Sequence, residues 1–217
     1  MKRKAFIFDL DGVIVDTAKY HYLAWKNLAN SLGFDFTEEQ NEQLKGVSRV
    51  KSLEILLAIG KVTLSEEKKA ELLVEKNVEY LEFVNQMTSR EILPGVTNVL
   101  DFLDVHTIKY ALGSASKNAP LILKKVGLLQ RFSAIVDGND VSKAKPDPEV
   151  FLIAAQKLNA DPINCIVVED AIAGIQAANK ANMISIGIGS NNVLHEATYV
   201  FESMEAVSQD FLKNIID

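Results

Sequence analysis

The stretch Ala5-Phe6-Ile7-Phe8-Asp9-Leu10-Asp11-Gly12-Val13-Ile14-Val15-Asp16-Thr17 decides the reading of this 217-residue chain. Four apolar residues run into two acids one residue apart, and a glycine follows at once. Such a run fits a parallel strand covered on both faces, with the acids emerging at its carboxyl end. Open α/β sheets place their ligand chemistry at that end. Two carboxylates at one strand tip repel each other by on the order of 4 kcal/mol at 4 Å and an effective dielectric near 20. The pair therefore calls for a cation or a shared proton. An Asp-Gly hairpin is the alternative, but Val13-Ile14-Val15 makes a short second strand, and Asp16-Thr17 behind it reads as a helix entry.

Composition bounds the rest. The chain is 48% hydrophobic and 24% charged, the values of an ordinary globular protein. No apolar stretch approaches the roughly 20 residues of a membrane span, and the run after Met1-Lys2-Arg3-Lys4 is too short for a signal peptide, so the expected address is the cytoplasm. The single cysteine, Cys165, excludes an internal disulfide framework and a thiolate zinc site. With a net charge of −6 and no basic block beyond the first four residues, nucleic acid is not the expected partner. An anionic small molecule would need locally placed cations.

Outward from the first strand, the pattern is helical for about 70 residues: Tyr20 to Leu32, a capping box at Thr37-Glu38-Glu39-Gln40 opening a helix toward Leu44, Arg49 to Ile59, and a long helix from Ser65 past Tyr80. So many helices without a strand argue for an inserted helical domain. The α/β rhythm then resumes. Strands are expected at Lys109–Gly113, Ala134–Val136, Cys165–Val168 and Met183–Gly187. Helices are expected from Val96, from Ala119, from Asp147-Pro148 (N-cap and first helical residue), from Ala171, and from Ser203 to Ile215. The fold class is α/β, a Rossmann-like, mostly parallel sheet with right-handed crossovers and an inserted α-helical cap. The expected division is 1–16 and 89–217 for the core and 17–88 for the cap, with hinges at Asp16-Thr17 and near Ser89 to Pro94.

Chemistry gathers at the strand ends: Asp9 and Asp11, then Ser114, then Lys145 ahead of Asp147-Pro148, then Glu169-Asp170. Taken singly, Ser114 is a turn residue, Lys145 a surface lysine and Glu169-Asp170 a helix cap. In a parallel sheet, however, all of them share one edge.

In this order the set resembles the haloacid dehalogenase superfamily, and the resemblance covers essentially the whole chain. It implies phosphoryl transfer, which depends on positioning and charge neutralisation. Asp9 would be the nucleophile forming an aspartyl phosphate, Asp11 the general acid and base, and Ser114 and Lys145 the partners of the phosphoryl oxygens. Mg²⁺ is the cofactor suited to hard oxygen ligands, held by Asp9, a backbone carbonyl near Asp11, and Glu169 and Asp170, of which either could bind it directly. Within the superfamily, four segments resemble its sugar phosphate mutases: Asp16-Thr17-Ala18-x-Tyr20-His21-x-x-Ala24-Trp25, Asn41 to Arg49, Lys76-Asn77, and Ser114-Ala115-Ser116-Lys117-Asn118. That implies a sugar phosphate substrate with a second, distal phosphate. Arg49, whose planar fork suits phosphate, would take it together with Ser116, Lys117 and Asn118 beside Ala115. Lys45, Gly46, Val47, Ser48 and Ser52 would line the sugar pocket, with Trp25 as its apolar wall. His21 and Lys76 would bring Asp11 into place only around bound sugar, with Thr17 a further catalytic candidate. A Mg²⁺-dependent phosphatase and a non-catalytic sugar phosphate binder are the competing readings. A monomer without membrane partners is expected.

Overall fold

The computed structural model describes residues 4–44 and 47–216. Lys45 and Gly46, both expected at the sugar pocket, lie outside the described residues. The first strand, β1 (Ala5–Phe8), is buried at every position. Four helices follow: α1 (Ala18–Ser31), α2 (Glu38–Asn41), α3 (Arg49–Gly60) and α4 (Glu66–Gln86). After them come α5 (Val96–Val105), β2 (Tyr110–Gly113), α6 (Ala119–Lys125), β3 (Ala134–Val136), α7 (Glu149–Leu158), β4 (Cys165–Glu169), α8 (Ile172–Lys180), β5 (Ile184–Ile188), β6 (Tyr199–Phe201) and α9 (Gln209–Ile216).

The strands form one parallel sheet in the order β3-β2-β1-β4-β5-β6. Strand β1 lies where the order reverses, with β2 on one side and β4 on the other. This is the point at which a parallel sheet opens a crevice beyond its carboxyl ends. The register places Phe8 beside Val168, and the Asp9 N–H donates to the Val168 carbonyl at 2.9 Å. The tips of β1 and β4 are therefore locked side by side. Apolar clusters cover both faces, one around Phe6, Phe8, Tyr110 and Ile166, the other around Ile7, Phe151, Val167 and Cys165. Alternation along β1 sends successive side chains into opposite clusters.

The helices start where the sequence marks them. Ser48 and Ser65 accept backbone N–H groups of Lys51 and Lys68, and the Thr37–Gln40 capping box is complete. The α1–α4 segment carries its own apolar cluster around Trp25, Phe36, Leu53 and Leu56. The chain enters and leaves this segment side by side. Val15 bridges Ile92, the Asp16 N–H donates to the Glu91 carbonyl at 3.1 Å, and that of Leu93 to the Ile14 carbonyl at 3.0 Å.

Three expectations need correction. The helix opened by Thr37 spans four residues and tightens into a 3₁₀ turn over Glu42–Leu44. Helix α7 starts one residue later than Asp147-Pro148 suggested, because the Asp147 carboxylate accepts the Glu149 N–H at 3.1 Å and Pro148 becomes the cap residue. The tail is not one helix from Ser203. An edge strand, β6, and a 3₁₀ turn (Met204–Ala206) precede α9, which begins only at Gln209. A three-residue strand has no readable periodicity and exists through its pairing with β5.

Gly12 and Gly174 fix how closely the active loops approach. At Gly12 (φ +78°) a Cβ would collide with the Asp170 carboxylate, and at Gly174 with that of Glu169. Gly174→Ala is expected to destabilise the fold by about 1–3 kcal/mol through overpacking, measured as a lower urea midpoint at unchanged slope.

Candidate active site

Asp9 and Glu169 stand at the adjacent tips of β1 and β4, 5% and 0% exposed. Between them lies the ammonium of Lys145, 2.6 Å from Asp9 Oδ1, 2.6 Å from Glu169 Oε1 and 3.2 Å from the Gly113 carbonyl. An ammonium has three N–H groups, and these three acceptors engage all of them. The paired carboxylates hold the Lys145 pKa well above its ordinary value against the opposing effect of burial. Burial raises that of Glu169. The second oxygen of each acid is also held: Asp9 Oδ2 accepts the Asp11 N–H at 3.1 Å, and Glu169 Oε2 the Ala171 N–H at 2.7 Å. Lys145 thus acts as a tie between two acids. Ser114, 1% exposed, accepts the Ser116 N–H at 3.1 Å and keeps its own proton to donate.

A cavity of about 340 Å³ opens above this point, within the range of small-molecule sites. Asp9, Asp11, Asp170 and Ser114 line its floor, and Arg49, Ser116, Lys117 and Asn118 also line its wall. Trp25, Val47, Ser48, Ser52, Lys76 and Ala115 border it as well, so most of the residues singled out from sequence meet here. Thr17, Lys145 and Glu169 are buried outside the lining. Ser48 and Ser52 also serve the backbone: Ser48 caps α3, and the Ser52 hydroxyl donates to the Ser48 carbonyl at 3.2 Å. Tyr80 and Asn77 were not among the expected site residues, yet both line the cavity. Tyr80 is wholly buried, with its hydroxyl beside that of Thr17. Its position on the α4 stripe, four residues after Lys76, was the available signal.

Asp11 differs from Asp9 in its surroundings. Its Oδ1 has no partner, and Oδ2 is 4.0 Å from His21 Nε2. Burial, then the charge of Asp9, pushes its pKa up to about 7. His21 stacks on Tyr80 with ring centroids 4.1 Å apart, and its Nδ1 is 2.9 Å from Lys76 Nζ. Burial, followed by the charges of Lys76 and Arg49, pulls the His21 pKa well down. A neutral His21 accepting from Lys76 at Nδ1 carries its proton on Nε2, facing Asp11. Burial lowers Lys76 to about 7, while its ammonium sits 4.6 Å from the Trp25 ring centroid and 4.7 Å from that of Tyr80. Lys76, His21 and Asp11 therefore form one chain across the cavity.

The oxygen donors suit a hard divalent cation. Among the described residues no three carboxylate, imidazole or thiolate side chains converge as a ligand group. A set of two carboxylates, a main-chain oxygen and ligand oxygens is nonetheless how Mg²⁺ is commonly held. Asp9 and Asp170 line the cavity, whereas both Glu169 oxygens are engaged by Lys145 and Ala171.

The parallel sheet, the acids at its central tips and the lysine between them define a haloacid dehalogenase-like hydrolase. The model of that family matches residues 3–182, and the chain belongs to it. It is 41% identical over 211 residues to the β-phosphoglucomutase of Bacillus subtilis (strain 168), covering 96% of this chain and 93% of that protein. The crystal structure of β-phosphoglucomutase from Clostridium difficile superposes with a TM-score of 0.95 at 43% identity, covering 100% of this chain and 97% of that one. A phosphorylated carbohydrates phosphatase of Thermotoga maritima is 31% identical over 183 residues, 83% of this chain and 82% of its own.

Buried Lys76 carries a cost in stability. Its folded pKa lies below the unfolded value near 10.5, so the unfolded chain binds more protons between about pH 7 and 10.5 and stability rises with pH there. Lys76→Met is expected to raise the thermal midpoint at pH 6 and to lose that advantage by pH 10, the gain at pH 6 amounting to about 1–3 kcal/mol. Differential scanning calorimetry at the two pH values reads it.

Proposed function

We propose that this protein is a β-phosphoglucomutase, interconverting β-D-glucose 1-phosphate and glucose 6-phosphate through an aspartyl phosphate and a bound glucose 1,6-bisphosphate. The observation that carries the reading is a single cavity lined by two sets of anion-handling groups: Asp9, Ser114 and Asp170 as one, Arg49, Ser116, Lys117 and Asn118 as the other. A hydrolase of a simple phosphate ester needs only the first. The strong likeness to two β-phosphoglucomutases supports the same conclusion.

In this reading residues 1–16 and 89–217 form the core and 17–88 a helical cap hinged where Val15 meets Ile92. Asp9, fixed by Lys145 and by the Asp11 N–H, attacks phosphorus. The bond from phosphorus to the sugar oxygen breaks as the bond to Asp9 forms, and protonated Asp11 gives its proton to the departing oxygen. In the opposite transfer, from aspartyl phosphate to sugar, Asp11 takes the proton of the incoming hydroxyl as Asp9 is released. A carboxyl group with a pKa near 7 is matched to both tasks. Ser114 donates to a phosphoryl oxygen. Asp9, Asp170 and the main-chain oxygen of Asp11 would hold Mg²⁺, with Glu169 behind them, and the ion would neutralise charge on the transferring phosphoryl group. The aspartyl phosphate first passes its phosphoryl group to the free hydroxyl of the sugar monophosphate. The resulting bisphosphate turns around, so that the newly formed phosphate lies at Arg49 and the original one at Asp9, whose attack regenerates the aspartyl phosphate and releases the isomer.

The mutase must also keep water from discharging the aspartyl phosphate. Lys76 and His21 come from the helical segment, and Asp11 from the strand tip. The proton carrier is thus complete only while the two parts are together, which ties chemistry to closure around sugar phosphate.

Incubation with β-glucose 1-phosphate, Mg²⁺ and a trace of bisphosphate is expected to yield glucose 6-phosphate with little inorganic phosphate. Rapid phosphate release instead would make the protein a phosphatase, and neither product would make it a binder. Arg49→Ala is expected to lower kcat/KM for isomerisation by about 100-fold, the loss of a charge-assisted contact of about 2–3 kcal/mol, and to affect hydrolysis of 4-nitrophenyl phosphate far less. Equal losses in both assays would remove the distal phosphate from Arg49.

A further inference from the structure

Helix α4 of the helical segment meets α6 beside the sheet through two polar bridges. Asn118 Nδ2 donates to Asn77 Oδ1 at 3.0 Å, and two turns further along both helices Lys125 Nζ donates to the Asn85 carbonyl at 3.0 Å. The first bridge lies at the cavity wall, which both asparagines line, whereas the second is exposed.

Asn118 occupies the N-cap position of α6. An asparagine there ordinarily turns its side chain back to accept a backbone N–H of the first turn. Asn118 makes no such bond. Its own N–H donates to Ser116 Oγ at 3.3 Å, and its amide reaches across to Asn77. The loop Ser114–Asn118 is a chain of such bonds, with the Ser116 N–H on Ser114 Oγ and the Asn118 N–H on Ser116 Oγ. Asn77 extends that chain into α4, one residue after Lys76. With Asn77 Oδ1 as acceptor, one hydrogen of the Asn118 amide is engaged and the other is left for a ligand, as are both hydrogens of the Asn77 amide.

We propose that Asn77 is a positioning residue that couples occupancy of the distal anion site to the docking of α4, and hence to the placement of Lys76 and His21 beside Asp11. The proposal rests on the distal-phosphate reading of Ser116–Asn118. Through Asn118, Asn77 fixes the donor that faces the phosphate. Bound phosphate in turn orders Asn118 and strengthens its bond to α4. The helix that docks in response carries Lys76, whose ammonium contacts His21 and through it Asp11. A substrate lacking a distal phosphate leaves this bond without that reinforcement.

Isomerisation kinetics of Asn77→Ala, Asn118→Ala, the double variant and Lys125→Ala test the proposal. Asn77→Ala is expected to raise the KM for β-glucose 1-phosphate about tenfold, as for one lost hydrogen bond, with a smaller change in kcat. The double variant should match Asn118→Ala to within about twofold, because the two residues act through one bond. Lys125→Ala, which removes a seam contact away from the cavity, should leave KM unchanged. Independent, multiplying effects of Asn77→Ala and Asn118→Ala would overturn the link, as would an equal rise in KM from Lys125→Ala. A second measurement needs no turnover: hydrogen exchange of residues 114–119 in the ligand-free protein. Asn77→Ala should speed it, and unchanged exchange would overturn the link whatever the reaction. Faster exchange in a protein that forms no glucose 6-phosphate would instead uphold the bond and remove the mutase reading.

Discussion

The ammonium of Lys145 between Asp9 and Glu169 is the constraint on which the rest of the structure depends. Two carboxylates at adjacent strand tips, nearly sealed from water, cannot both stay ionised without a cation between them. Lys145 supplies it at 2.6 Å to each, and the Gly113 carbonyl takes its third hydrogen. Three strands, β1, β2 and β4, are thereby joined at one point beyond the sheet edge. Such an ion triad is weak evidence of stability, because desolvation offsets much of the attraction. What it gives is a fixed direction for the Asp9 carboxylate.

That fixed direction sets the division of labour between the two acids of the opening motif. Asp9 is held on both oxygens, by Lys145 and by the Asp11 N–H. Asp11 has one unpartnered oxygen, a pKa pushed up to about 7, and only a distant contact to His21. Identical side chains two residues apart thus become a rigidly held carboxylate and a protonatable group. The cause is which neighbours each one meets: Asp11 faces His21 of α1, which is itself held by Lys76 of α4, 65 residues further along the chain than Asp11. The rest of the cavity lining is assembled in the same way, from Arg49 of α3, Asn77 of α4 and the loop after β2.

Much of this was legible in the sequence because it is locally encoded. The buried run Ala5–Phe8, the caps at Thr37, Ser48 and Ser65, and the apolar strands Tyr110–Gly113 and Cys165–Glu169 each carry their own pattern. The order of acids, serine and lysine along the chain pointed to one sheet edge. Edge strand β6 and the break before α9 were not legible, since three residues have no periodicity and depend on β5 for their conformation. Tyr80 was missed for a related reason: on a helix stripe an aromatic reads as core, and only the fold shows that its ring supports His21.

The sequence by itself determined the sheet's chemistry-bearing edge and the hard-oxygen character of the site, because strand periodicity and residue type are properties of short segments. Only the tertiary structure decided which groups touch. It made Lys145 a bridge between acids, closed both oxygens of Glu169 while leaving Asp170 at the cavity, and set Asn77 against Asn118. Those outcomes follow from strand register and helix docking, which bring together side chains 24, 136 and 41 residues apart and are written in no single stretch of the chain.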